Sequence, residues 1–78
     1  MIRVRVKIVG ALAKPLGKDE YELELQDDSR LESLLLEAGY HAGHLRFIIP
    51  VVNGAHERLS YVLQNGDNVQ LFLPTSGG

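Results

Sequence analysis

The chain of 78 residues has no cysteine and no tryptophan. Without a thiol there is no disulfide framework, no thiolate nucleophile and no zinc site built on sulfur. Any sulfur chemistry must therefore use a group other than a side-chain thiol. Long apolar runs are missing as well. Nothing approaches the ~18 residues of a membrane span, and the N-terminus alternates instead of forming the apolar block of a signal peptide. Strong charge of either sign is also lacking: eight Lys and Arg against ten Asp and Glu leave −2. That balance argues against a surface that tracks nucleic-acid phosphates. What remains is 45% hydrophobic and 23% charged, an ordinary globular mixture. A chain of this length buries roughly 60–65% of its unfolded surface, enough for one core. A cytoplasmic domain with neither membrane nor nucleic-acid partner is expected.

Ile2, Val4, Val6 and Ile8 alternate with Arg3, Arg5 and Lys7, the period-two mark of a strand with one buried face. Residues 10–17 form a connection, after which Tyr21, Leu23 and Leu25 alternate with Glu20, Glu22 and Glu24. Paired antiparallel, the two strands set basic residues opposite acidic ones, each pair contributing about 0.2–1 kcal/mol. Such self-pairing accounts for the basic stripe better than a docking surface for an acidic partner does. Ser29-Arg30-Leu31-Glu32 has the form of a capping box, with Ser29 accepting from the Glu32 amide. Leu31, Leu34, Leu35 and Ala38 make one helical apolar stripe, which Gly39 stops. His41 and His44 fall in a loop over 40–46. With His56 they have no carboxylate at hand to orient them, so no metal site is expected.

The apolar run 47–52 contains Pro50, which predicts a short, bulged or edge strand, and Asn53-Gly54 marks a hairpin turn. Leu59, Val62 and Leu63 predict one packed helical or irregular turn, closed by Asn65-Gly66-Asp67. A last strand over 68–73 carries Val69, Leu71 and Leu73 on one face and Gln70 and Phe72 on the other. Pro74 ends its ladder. Periods of two and of 3.6 then converge on a core of Ile2, Val4, Val6, Ile8, Leu23, Leu25, Leu31, Leu34, Leu35, Val69 and Leu71. Phe72, alternating away from that core, is expected on the exposed sheet face as a partner anchor.

Strand, strand, helix, strand, turn and strand close two layers around one core. This is an α+β, ubiquitin-like β-grasp: a mixed sheet of four to five strands packed on one helix. The domain is expected over 1–74, followed by a flexible functional tail over 75–78. That tail, Thr75-Ser76-Gly77-Gly78, ends in two residues with no side chain, which can enter a channel that admits only backbone. Its one reactive group is the terminal carboxylate, ionised at neutral pH and a poor electrophile until activated. Four residues extend about 13 Å at ~3.3 Å each.

Val51-Val52-Asn53-Gly54, then the run from Leu63-Gln64-Asn65-Gly66-Asp67 through Phe72-Leu73-Pro74, then Gly77-Gly78, resemble the C-terminal half of the ubiquitin-like sulfur carriers. This family includes the small subunit of molybdopterin synthase and the sulfur carrier of thiamine biosynthesis. The front half agrees more loosely, through Leu12, Leu16-Gly17 and the helix start at Ser29. The resemblance implies that a ubiquitin-activating-like adenylyltransferase uses ATP to adenylate Gly78. A sulfur donor then converts the acyl adenylate to a thiocarboxylate. The chain would be a protein co-substrate and no enzyme, with no cofactor of its own. Gly78 would be the site of chemistry, and Gly77, Ser76, Thr75, Pro74 and Phe72 would bind partners. The sulfur acceptor implied is the large subunit of molybdopterin synthase, a type to which the length of 78 residues also leans.

Three positions depart from the molybdopterin type: Lys7 and His56, where apolar or aromatic residues are usual, and Leu73-Pro74 in place of two prolines. Other readings stay open. The carrier could serve thiamine thiazole formation or tRNA thiolation. Gly78 could instead be joined to target lysines, as in a protein modifier, or the tail could be inert on a binding module.

Overall fold

The computed structural model describes residues 1–10, 12 and 14–73. The expected division at residue 74, and everything expected of Pro74, Thr75, Ser76, Gly77 and Gly78, lies outside the described residues. Alternation in the first two segments gives strands β1 (Ile2–Val9) and β2 (Glu20–Leu25). They pair antiparallel, Arg3 against Glu24, Arg5 against Glu22 and Lys7 against Glu20. After helix α1 (Leu31–Glu37) and a 3-10 helix (Ala42–Phe47) come β3 (Ile49–Val52), β4 (Ala55–His56) and β5 (Asn68–Phe72). The sheet order is β2-β1-β5-β3-β4, with β5 parallel to β1 and antiparallel to β3. A central parallel pair needs a long crossover, and α1 supplies it while covering one sheet face. This mixed five-stranded sheet on one helix is the ubiquitin-like β-grasp that the element order implied. No helix among the described residues is long and apolar enough to cross a membrane.

The core forms where the two periodicities meet. Val4, Val6, Ile8, Leu25, Leu31, Leu34, Leu35, Val69 and Leu71 are all buried, as expected, while Ile2 and Leu23 are only partly buried at its edge. Leu12, Ala38, Tyr40, Leu45, Ile48, Val52 and Leu63 complete it. Leu73, expected on the core face, is 42% exposed. It lies past the last paired position of β5, so no neighbouring strand or helix covers it.

The start of α1 differs from the capping-box expectation. Arg30 occupies the N-cap position and no side chain caps it. Ser29 turns away: its Oγ and its amide donate to the Gln26 carbonyl at 2.7 and 3.2 Å. The free amides at the helix start, which must find acceptors somewhere, donate instead to backbone. Leu31 donates to the Tyr61 carbonyl and Glu32 to the Leu59 carbonyl, both at 3.0 Å. The segment after β4 thus runs beside the helix start in an irregular turn, as the Leu59–Leu63 pattern allowed. At the other end Gly39, with φ +100°, stops the helix as expected. The Tyr40 amide donates to Leu35 and the Gly39 amide to Leu36, the paired bonds of a Schellman motif.

Three further expectations resolve simply. Asn53 (φ 51°) and Gly54 (φ 86°) make the left-handed two-residue turn between β3 and β4, as Asn-Gly does in tight hairpins. Pro50 costs the sheet nothing, because its carbonyl, and so its missing donor, faces the short β4 side and leaves the β5 ladder intact. The stretch after Gly39 is helical in part, not loop throughout.

Candidate functional site

The sheet has one face under α1 and one without a covering element among the described residues, and alternation sorts the side chains between them. Across the strands the uncovered face carries two distinct halves. Over β2 and β1 it is charged, and the charges neutralise one another. Arg3 meets Glu24 at 3.3 Å, and Arg5 meets Glu20 at 3.2 Å and Glu22 at 3.7 Å. All these side chains are about half exposed, so each pair adds little to stability. The basic stripe is thus largely self-paired, as the opposed sequences implied.

Over β5 and β3 the same face turns apolar. Register sets Val9 beside Phe72 and Phe72 beside Ile49, while Val51 lies against Gln70 on one side and His56 on the other. Val9, Ile49, Val51 and Phe72 are each partly exposed. Phe47, two residues ahead of Ile49, is 50% exposed, and the Arg46 guanidinium stacks over its ring at 4.9 Å. Phe72 therefore stands on the outer face, as alternation predicted, in an apolar patch. The patch sits at the end of β5 from which the chain continues into residues 74–78. Val9, Ile49 and Val51 were not singled out from sequence. Their one signal was that the polar side of β1 and the outer side of β3 lose their charges there.

What aims this end of the sheet is a polar clamp at the other end of β5. Asp67 is 5% exposed. Its carboxylate accepts from Asn53 Nδ2 at 2.9 Å, the Tyr61 hydroxyl at 3.1 Å and the Gln64 amide at 2.9 Å. A buried carboxylate needs such donors to offset its lost hydration. Burial, and then the hydrogen bond to Asp67, raise the Tyr61 hydroxyl above its ordinary pKa. Asn53 Oδ1 accepts from the Asn68 amide at 2.9 Å, while the Asn53 amide donates to the Asn68 carbonyl at 2.8 Å. On the β1 side, the Gly66 amide donates to the Arg3 carbonyl and the Arg5 amide to the Asp67 carbonyl. The turn 64–67 is thus tied to both neighbours of β5. Strand pairing has a period of two, so a one-residue slip would turn every side chain over. The clamp fixes the register that sets Phe72 outward.

His41 and His44 lie with ring centroids 5.7 Å apart, and no group of three metal-ligating side chains exists among the described residues.

The ThiS family matches residues 6–78 of the chain, and no curated protein matches it. Several solved structures share its fold. A Pyrococcus furiosus protein described as molybdopterin converting factor, subunit 1, is 24% identical with a TM-score of 0.78, the match covering 96% of this chain and 100% of that one. The small archaeal modifier protein 1 of Haloferax volcanii is 20% identical with a TM-score of 0.78, over 96% and 100% of the two chains. The Helicobacter pylori complex of subunits 1 and 2 of molybdopterin-converting factor matches at 23% identity and a TM-score of 0.64, over 99% of this chain and 100% of that one. At these identities the likeness shows a shared fold.

Proposed function

Because the chain belongs to the ThiS family of ubiquitin-like sulfur carriers, we propose that it carries sulfur as a thiocarboxylate on Gly78, for molybdopterin formation. The Gly78 carboxylate oxygen attacks the α-phosphorus of ATP on a ubiquitin-activating-like adenylyltransferase, and pyrophosphate leaves. A persulfide of a sulfur donor attacks the acyl carbon, and AMP leaves. A partner thiol then cleaves the resulting S–S bond, forming a partner disulfide and releasing the thiocarboxylate. That anion is the nucleophile presented to the acceptor enzyme, a large subunit of molybdopterin synthase. In this account the chain binds and presents; its partners perform the catalysis and use the ATP. ATP and reducing thiols are cytoplasmic resources, which sets the proposed location.

One observation carries the reading: the apolar half of the uncovered face lies at the end of β5 from which the chain continues into residues 74–78. A partner seated on Phe72, Val9 and Ile49 gains affinity from the sheet and receives Pro74, Thr75, Ser76 and Gly77 as a strap leading to Gly78. The absence of cysteine leaves that carboxylate as the place for sulfur. Likeness to a molybdopterin converting factor subunit, and to one solved with its second subunit, supports the choice of acceptor.

A modifier role is the second reading, favoured by the likeness to a small archaeal modifier protein. Both roles begin with adenylation, so ATP–pyrophosphate exchange with the adenylyltransferase tests them together. The unaltered chain is expected to support exchange, and Gly78→Val to abolish it with melting unchanged. Undiminished exchange by Gly78→Val would place the chemistry elsewhere.

A further inference from the structure

The three cations on the uncovered side of β1 are not equivalent. Arg3 is held by Glu24, and Arg5 by Glu20 and Glu22. Lys7 is in register with Glu20, but that carboxylate is committed to Arg5. Among the described residues the Lys7 side chain makes no ion pair and no hydrogen bond. On its other side lies Gln70, which brings no charge, and the next pair along is Val9 with Phe72. An exposed ammonium, unpaired among the described residues, therefore stands on the seam between the self-neutralised half and the apolar half.

A protein seated on the apolar half covers this ammonium as well. A cation removed from water with no counter-charge is strongly unfavourable, and one partner of such a pair cannot be lost without penalty. Glu20 is in register with Lys7 but holds Arg5 at 3.2 Å, and drawing it to Lys7 would leave Arg5 only the longer contact with Glu22 at 3.7 Å. A carboxylate on the partner compensates Lys7 and leaves both contacts of Arg5 in place. We infer that Lys7 is the polar anchor of this docking surface, and that the adenylyltransferase presents an Asp or Glu carboxylate against it. The commitment to that enzyme rests on the proposed function, since it is the partner that carrier and modifier roles both require. Arg3 and Arg5, already paired within the sheet, give the enzyme no comparable handle.

The test is ATP–pyrophosphate exchange catalysed by the adenylyltransferase of the source organism, followed against concentration of this chain at several salt concentrations. Lys7→Met is expected to raise the KM for the chain roughly tenfold, and Lys7→Glu further, with kcat unchanged. Lys7→Arg and Arg3→Gln should stay within about twofold of the unaltered chain. The rise of KM with salt should be shallower for Lys7→Met than for the unaltered chain. Melting curves check that each variant folds, and Lys7→Gln replaces Lys7→Met if the latter does not. Unchanged KM in Lys7→Met, or an equal effect of Arg3→Gln, overturns the inference while leaving the function standing. No exchange with the unaltered chain removes the function, and this inference with it.

Discussion

Asp67 is expected to concentrate more stability in one side chain than any single ion pair of the uncovered face. Its carboxylate is buried and accepts three hydrogen bonds, so truncation leaves donors from Asn53, Tyr61 and Gln64 without their acceptor. Asp67→Ala is expected to cost about 2–3 kcal/mol in a urea titration, whereas Arg5→Gln, at a half-exposed pair, should cost under ~1 kcal/mol. Equal losses would mean that the clamp is not what holds β5. Tyr40 gives a second measurable residue. Burial first, and then the nearby Tyr21, push its hydroxyl up to about 12. The unfolded phenol ionises near 10, so between pH 10 and 12 the unfolded chain releases a proton that the folded chain keeps. Stability is therefore complete below pH 10 and falls as pH rises towards 12. Tyr40→Phe should flatten that alkaline slope, as followed by thermal melting at stepped pH. A slope unchanged by the substitution would assign the loss to other groups.

Among the elements, α1 shows what local pattern can and cannot reveal. Its stripe of Leu31, Leu34, Leu35 and Ala38 is periodic, and all four residues are buried. Its stop at Gly39 follows from a backbone that other residues resist. Gly39→Ala is expected to destabilise by more than ~2 kcal/mol, because the new Cβ would lie 2.6 Å from Pro15 Cβ on top of the φ penalty. Gly54→Ala, with a similar φ but open space around it, should cost only about 1 kcal/mol. Parity between the two by chemical denaturation would remove Pro15 as the cause. The start of α1 was not legible. Ser29 and Glu32 have the spacing of a capping box, yet the acceptors come from Leu59 and Tyr61, some thirty residues downstream. No local motif encodes such a partner. For the same reason Asp67 looked like a turn residue, since its three donors are assembled only by the fold. Strands β1, β2 and β5 were readable because alternation is a property of each strand alone. Leu73 shares the alternation of Val69 and Leu71 but lies past the last paired position of β5, and it is exposed there.

At the scale of the molecule, the sheet divides labour between its faces. One face packs on α1 and holds the fold together; the other leads from a self-neutralised half through Lys7 to an apolar patch around Phe72. Core and docking functions should therefore separate by mutation. Leu35→Ala is expected to lose about 2–5 kcal/mol of stability, which approaches unfolding in a domain of this size. Phe72→Ala should melt close to the unaltered chain but weaken binding to the adenylyltransferase; strong destabilisation with normal binding would reverse that assignment. The fold, the outward Phe72 and the charge pairing were legible in the sequence. The apolar patch was not, because Val9, Ile49 and Val51 come from strands whose adjacency only the β5 register creates. The central claim is that Gly78 carries sulfur, and the intact mass of the chain recovered from cells that make its partners tests it most directly. Sulfur carriage predicts a fraction shifted by roughly +16 Da, oxygen replaced by sulfur, with the shift confined to the C-terminal peptide. A chain found only at its unmodified mass, or only joined to lysines of other proteins, would contradict it.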